Sequence, residues 1–231
     1  MMRKISWCIT AKNRCKPKWK HQQTGEIIEL PLLPNCLNSL IQQQQEDEHW
    51  EVCISDWNST DVPDIQEFLS KTIQTGNGKI DFKFKNVDRL EFSRGHGRNV
   101  AFGLSTFDII FFLDADMLFT DRHVIDNTYT HCQAGSVYFP VCISYRDAAH
   151  TMGWTRVQGT GNIAISRDIF LTKPGGWMDK NTWGKEDGNM AKFFKQKKVR
   201  DITKTFFHQW HPAKQNVGRI LNANTWDQIY T

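Results

Sequence analysis

The sequence predicts an α/β fold, a mostly parallel β-sheet flanked by helices. Three observations carry this. Short apolar runs alternate with amphipathic segments over the first half of the chain. The stretch FDIIFFLDADMLF (107–119) is apolar on both faces, as a central strand covered by two helical layers must be. That stretch also ends on two aspartates, Asp114 and Asp116, at the strand end where parallel sheets place their ligands.

The elements follow in order. Residues 5–10 read as a first strand, and AKNRCKPKWKH (11–21) as a basic loop. Between 30 and 43, Leu33, Leu37, Leu40 and Ile41 have helical spacing, and Pro31 and Pro34 place the helix start near Asn35. The glutamines at 42–45 form its solvated end. Residues 50–55 make a second strand. A helix follows with Asp61 as N-cap, Pro63 in the first turn, and Ile65, Phe68, Leu69 and Ile73 on one face. GNGK (76–79) is a turn, 80–84 a third strand, and 98–105 a helix leading into the central strand.

With 231 residues the chain suits one domain. Its 39% hydrophobic and 23% charged content is that of a globular protein, and nine Trp with fifteen Phe predict an aromatic core. A net charge of +4 suits a phosphate-bearing ligand but is too mild for a dedicated nucleic-acid binder. No run approaches the ~20 apolar residues of a membrane span, and the N-terminus lacks the apolar region of a secretory signal. The six cysteines have no metal-finger or CxxC spacing, which predicts reduced thiols and a cytoplasmic protein.

Asp114 and Asp116, two apart, point the same way if the strand continues, and such a pair is costly unless a cation neutralises it. Hard oxygen ligands select Mg²⁺ or Mn²⁺. The plainer alternative is a solvated turn capping the next helix at Thr120 or Asp121.

The segments ITAKNR (9–14), CISDWNSTD (53–61), SRGHGRNVAFG (93–103) and FFLDADMLF (111–119) together resemble the GT-A glycosyltransferases, in particular inverting family 2. The resemblance implies one GT-A domain over 1–231, with a nucleotide-binding half (1–119) and an acceptor and catalytic half (120–231). It implies that Thr10, Lys12 and Arg14 in the first loop, with Asp56, hold the base and ribose of a nucleotide-sugar donor. Arg94 or Arg98 would meet base or phosphate, Asp114 ribose or metal, and Asp116 the metal.

A second segment, residues 159–194, resembles the catalytic region of β-galactosyltransferase-type enzymes, including a Trp-Gly-x-Glu-Asp run at Trp183 to Asp187. Trp177 stands where Phe is usual and Lys185 where Gly is common. Inverting transfer needs a carboxylate to take the acceptor's proton, and Asp187 is assigned that role, Glu186 the holding of sugar hydroxyls. The same two acids also suit the start of a helix running through Met190 and Phe193 to a basic end. FFHQWHP (206–212) is similar to the histidine segment that closes the metal site in several such enzymes, with His211 preferred over His208 as ligand. Imidazole moves the choice from Mg²⁺ toward Mn²⁺. Trp154, Trp177, Trp183 and Trp210 lie near these motifs and offer either sugar stacking or packing, with Trp183 the first choice for stacking.

The activity implied is metal-dependent inverting transfer of a hexosyl or N-acetylhexosaminyl group, from a UDP-sugar foremost, to a glycan, protein or lipid-linked sugar. A haloacid-dehalogenase-type phosphatase would carry Asp-x-Asp on its first strand. A nucleotidyltransferase would carry a glycine-rich loop where this chain has AKNRCK. A binding module without turnover would not need Asp187.

Overall fold

The computed structural model describes residues 2–74, 78–180, 185–212 and 226–229. β1 (Arg3–Ala11) is buried from Ile5 to Ile9, because it lies at the middle of the main sheet. The basic stretch after it is not all loop. β2 (Lys18–His21) pairs with β3 (Ile27–Glu29), and the single apolar side chain of β2, Trp19, supplies too little pattern to read as a strand. α1 (Leu32–Ile41) starts before the predicted Asn35. Pro34 sits in its first turn, where a missing N–H costs no intrahelical bond.

β4 (Glu48–Asp56) is buried at every position and runs parallel to β1. α2 (Ile65–Ile73) is capped by Asp64, whose carboxylate accepts the Glu67 N–H at 2.9 Å. The predicted cap, Asp61, instead accepts the Lys16 N–H at 2.8 Å and so ties two loops together. β5 (Lys79–Asn86) is the parallel edge strand beside β4. α3 (Arg94–Leu104) begins four residues before the predicted start, capped by Ser93. Two glycines obscure that first turn in the sequence. A side chain at Gly97 would collide with Thr10 and Trp57, and one at Gly95 with the Met178 carbonyl, so both permit close docking of α3.

β6 (Ile109–Asp114) ends at Asp114, and after a two-residue turn β7 (Met117–Phe119) belongs to a different sheet. There follow α4 (His123–Gln133), β8 (Val137–Tyr138), β9 (Val141–Tyr145), β10 (Gly153–Thr155), β11 (Ile163–Ser166), α5 (Arg167–Leu171), α6 (Glu186–Phe193), β12 (Lys198–Val199), β13 (Ile202–His208) and β14 (Trp226–Ile229). The main sheet has the order β12-β8-β11-β6-β1-β4-β5 and is parallel except for β11. A second sheet, β10-β9-β13-β7, and a third, β14-β2-β3, complete the fold. In the second sheet the parallel pairing of β13 with β9 changes register between Ile202 and Phe207.

Alternate residues of β6 feed two cores. Phe111 packs on Trp7, which also meets Trp50 and Phe119, whereas Phe112 faces Phe170 and Trp177 on the other side. All six cysteines are buried and free. Among the described residues no helix is long and apolar enough to cross a membrane.

Glu51 on β4 joins the strands at their opposite end. It is 1% exposed and accepts from Ser6 Oγ at 2.6 Å and the Thr106 N–H at 2.8 Å, with Lys83 and the Thr106 hydroxyl as further partners. Burial alone would raise its pKa, but these donors bring it down to about 2 from an ordinary 4.5. A depressed carboxylate contributes stability above its unfolded pKa and loses it as pH falls toward the folded value. Thermal unfolding at several pH values is expected to show roughly 3 kcal/mol from this group lost between about pH 4.5 and 2, and Glu51→Gln is expected to flatten that slope.

Candidate functional site

The carboxyl ends of β1, β4 and β6 converge with the start of α6 and the end of β13. Three groups of side chains are assembled there.

The first is an arginine–carboxylate cluster. Arg98 is 1% exposed; its Nη1 donates to Asp187 Oδ1 at 2.6 Å, and its Nη2 donates to Asp114 Oδ1 at 2.7 Å and to the Gly161 carbonyl at 2.8 Å. Its guanidinium carbon lies 4.2 Å from the Trp177 ring centroid. Arg94 adds contacts of 3.5 Å to Asp187, 3.5 Å to Glu186 and 3.8 Å to Asp114. Burial pushes the Asp187 pKa up, but the charges of Arg98 and Arg94 more than offset this and hold it below the usual carboxylate range. Gly161 permits the packing, since a Cβ there would stand 2.8 Å from Asp114 Oδ2.

The second group is Asp116, His208 and His211, each offering one ligand atom, all within 4.8 Å of one another. Asp116 Oδ2 is 3.5 Å from His208 Nε2 and 3.4 Å from His211 Nε2. Pairing of β13 with β7 sets His208 beside Met117, and the Gln209 N–H donates to the Asp116 carbonyl at 2.8 Å. The outer ring nitrogens are also occupied. His208 Nδ1 shares a 3.2 Å hydrogen bond with Ser144 Oγ, and His211 Nδ1–H donates to the Pro212 carbonyl at 3.2 Å. A carbonyl only accepts, so His211 carries its proton on Nδ1 and leaves Nε2 as a ligand. Trp19 stacks on the His211 ring. Burial would raise the Asp116 pKa, yet the two imidazoles hold it well below the ordinary range. One carboxylate with two imidazoles is a donor set that fits a divalent first-row ion such as Mn²⁺.

The third group is a loop clasp. Asp56, fully buried, accepts from the Ser59 N–H at 2.7 Å and from Ser59 Oγ at 2.6 Å. The Asn13 N–H donates to Ser59 Oγ at 2.7 Å, and Asn13 Oδ1 accepts the Thr60 N–H at 2.8 Å. Thr10 Oγ1 meets Ser55 Oγ at 3.1 Å. Lys12 is exposed and Arg14 half-buried on the same loop.

Several sequence-based expectations need correction. Asp114 and Asp116 do not share a direction, because the strand ends between them; Asp114 turns to the arginines and stands apart from the histidine group. Each aspartate has its own partners, the arginines for Asp114 and the imidazoles for Asp116. Arg98 is 1% exposed and bonded at both Nη atoms, to Asp187, Asp114 and the Gly161 carbonyl, whereas the Arg94 side chain is 19% exposed. Glu186, with its side chain 7% exposed, has a carboxylate oxygen 3.5 Å from Arg94 Nε. Asp56 is closed off by Ser59. Trp177 is buried beneath Arg98 and has no face for a sugar. Both histidines adjoin Asp116, so His208 stands equal to His211. Trp183 lies outside the described residues.

Sequence reasoning missed Ser144, Asn162 and Gln209. Asn162 Oδ1 accepts the Asp114 N–H at 2.8 Å, and Gln209, 2% exposed, donates to the Leu32 carbonyl at 2.9 Å. Each acts through a partner far along the chain, and no local pattern marks it.

A family model for glycosyl transferase family 2 matches residues 27–209. No curated protein sequence matches the chain significantly. Among solved structures, S. aureus TarS 1–349 in complex with UDP-GlcNAc is similar with a TM-score of 0.65 at 12% identity, over 91% of this chain and 60% of that one. The mannosyltransferase PcManGT from Pyrobaculum calidifontis, in complex with GDP-Man and Mn²⁺, gives 0.60 at 13% identity, over 88% of this chain and 56% of that one. The chain thus spans about three-fifths of the length of these neighbours. At such identities the likeness is one of fold.

Calorimetric titration with Mn²⁺ tests the grouping. Ser144→Ala is expected to weaken binding about tenfold, by freeing the His208 ring, and Asp116→Asn or His208→Ala by considerably more. Asp114→Asn is expected to stay within a few-fold of wild type; a loss as deep as that of Asp116→Asn would contradict the separation of the two aspartates.

Proposed function

The chain belongs to glycosyl transferase family 2, and from that premise we propose that it is a metal-dependent inverting glycosyltransferase. It moves a hexosyl or N-acetylhexosaminyl group from a nucleotide-sugar, a UDP-sugar foremost, to a hydroxyl acceptor. The observation that carries the reading is the state of Asp187. Of the two adjacent acids it is the more open, with its side chain 24% exposed against 7% for Glu186, and it is held ionised by Arg98. Its place in the first turn of α6 also favours the charged form. The TarS and PcManGT complexes, with UDP-GlcNAc and with GDP-Man and Mn²⁺, support a nucleotide-sugar as donor.

In this reading Asp187 accepts the proton of the attacking hydroxyl as the acceptor oxygen bonds to the anomeric carbon and the bond from that carbon to the diphosphate oxygen breaks. The nucleoside diphosphate leaves with the electron pair. Arg98 keeps Asp187 deprotonated and fixed in place, and Asp114 shares its other side. Arg94, with its side chain 19% exposed, is the arginine able to exchange a carboxylate for a phosphate oxygen. Asp116, His208 and His211 would hold the divalent ion, which when bound offsets charge on the departing diphosphate. The Asp56–Ser59–Asn13 clasp shapes the loop ends where the base and ribose would lie, with Thr10, Lys12 and Arg14 on its rim.

Transfer or donor hydrolysis, measured with a panel of nucleotide-sugars and Mn²⁺, tests the proposal. Asp187→Asn is expected to lower kcat by about 10²- to 10⁴-fold with UDP affinity nearly unchanged, whereas Asp116→Ala is expected to abolish Mn²⁺-dependent UDP binding. Equal loss of binding in both would sink the assignment of roles. Since the Asp187 pKa is lowered, the active ionised form persists to lower pH than for an ordinary carboxylate. With Mn²⁺ held saturating at every pH, ionisation of Asp187 itself is therefore expected to add no acid-side fall between about pH 5 and 7. Arg98→Gln is expected to move that fall upward, by leaving burial of the carboxylate uncompensated.

A further inference from the structure

The sheet β10-β9-β13-β7 carries a surface that this chemistry has not used. Across it, Trp154 on β10 is opposite Ser144 on β9, Ser144 is beside His208 on β13, and His208 is opposite Met117 on β7. Residues opposite one another in a sheet project from the same face, so the Trp154 indole lies on the His208 side. Two strand spacings, roughly 10 Å, separate them. Ser144 stands between them and shares its hydrogen bond with His208.

β10 is an edge strand, and its ladder extends past both of its ends. The Met152 carbonyl accepts the Arg146 N–H, and the Arg156 N–H donates to the Cys142 carbonyl, each at 2.9 Å. With a side-chain period of two, Met152, Trp154 and Arg156 therefore form one stripe facing the site. Met152 is 60% exposed and Trp154 46%, whereas Trp7, Trp19, Trp50, Trp57 and Trp177 are at most 3% exposed. The fold buries those five indoles almost completely and leaves this one open at the mouth of the site. Arg156 forms no salt bridge among the described residues, although its charge reaches Asp187 and helps to lower that group's pKa.

An open indole flanked by a flexible thioether and a guanidinium matches a pyranose ring, which has an apolar C–H face and a rim of hydroxyl acceptors. We propose that Trp154, with Met152 and Arg156 beside it on β10, is the platform on which the acceptor lays a sugar ring, so that the acceptor is recognised as a carbohydrate. The inference rests on the glycosyltransferase reading and specifies its acceptor.

The test uses the full chain saturated with UDP and Mg²⁺, a diamagnetic ion. Saturation-transfer NMR follows the methyl β-glycosides of glucose, galactose and N-acetylglucosamine and methyl α-mannoside, while calorimetry follows UDP. At least one glycoside is expected to bind at millimolar concentration. Trp154→Ala is expected to weaken it about tenfold or more and Trp154→Phe by less than about threefold, both with UDP affinity kept. Unchanged glycoside binding in Trp154→Ala overturns the proposal, as does a wild-type protein that binds UDP but no glycoside; the transferase reading survives either result. A concentration-dependent dimer that Trp154→Ala dissolves, without effect on glycosides, makes the stripe a self-association surface and likewise overturns it. A wild-type chain that binds no nucleotide overturns the transferase reading and this inference together.

Discussion

The arrangement of the site depends on the guanidinium of Arg98. Buried against Trp177, it bonds at once to the last residue of β6, to the second residue of α6 and to the Gly161 carbonyl that leads into β11. A charge so enclosed is tolerated only because its partners are ionised and well aligned, and removing one partner of such a pair costs about 3–5 kcal/mol. The same contacts that make the arginine affordable hold Asp114 and Asp187 at fixed positions and keep Asp187 deprotonated. Packing and the ionisation of Asp187 are here a single interaction.

The second group is assembled by strand pairing. Asp116 reaches its histidines because β7 leaves the main sheet directly after the turn and enters another in which β13 is its neighbour. Two sheets thus meet across Ala115. One aspartate serves the arginine cluster and the other serves the imidazoles, so each of the two nearby carboxylates has partners of its own. Trp19, from a third sheet, closes the far side of His211.

Much of the architecture was legible in the sequence where a periodic pattern covers an entire element. The runs at β1, β4 and β6 and the face of α2 are of this kind, as is the Asp-Ala-Asp tip. Short strands such as β2 and β3 were not legible, since a single buried indole among lysines makes no period. Helix starts were displaced where polar residues compete: Asp61 and Asp64 both suit an N-cap, and only the Lys16 amide decides that the first is used elsewhere. The resemblance offers Arg94 or Arg98 to base or phosphate alike, and nothing local shows that Trp177, about eighty residues on, covers Arg98. Ser144, Asn162 and Gln209 share that difficulty.

The register change in β13 has an evolutionary corollary. Because side chains alternate between faces, the run between Ile202 and Phe207 decides on which side His208 emerges. Point replacements there leave the count of residues intact and are neutral as to phase. Loss or gain of one residue would send the imidazole through to the reverse surface and turn Phe206, two residues earlier on the same face, out of the core with it. Descendants of this chain are therefore free to vary the spelling of that run far more than its length.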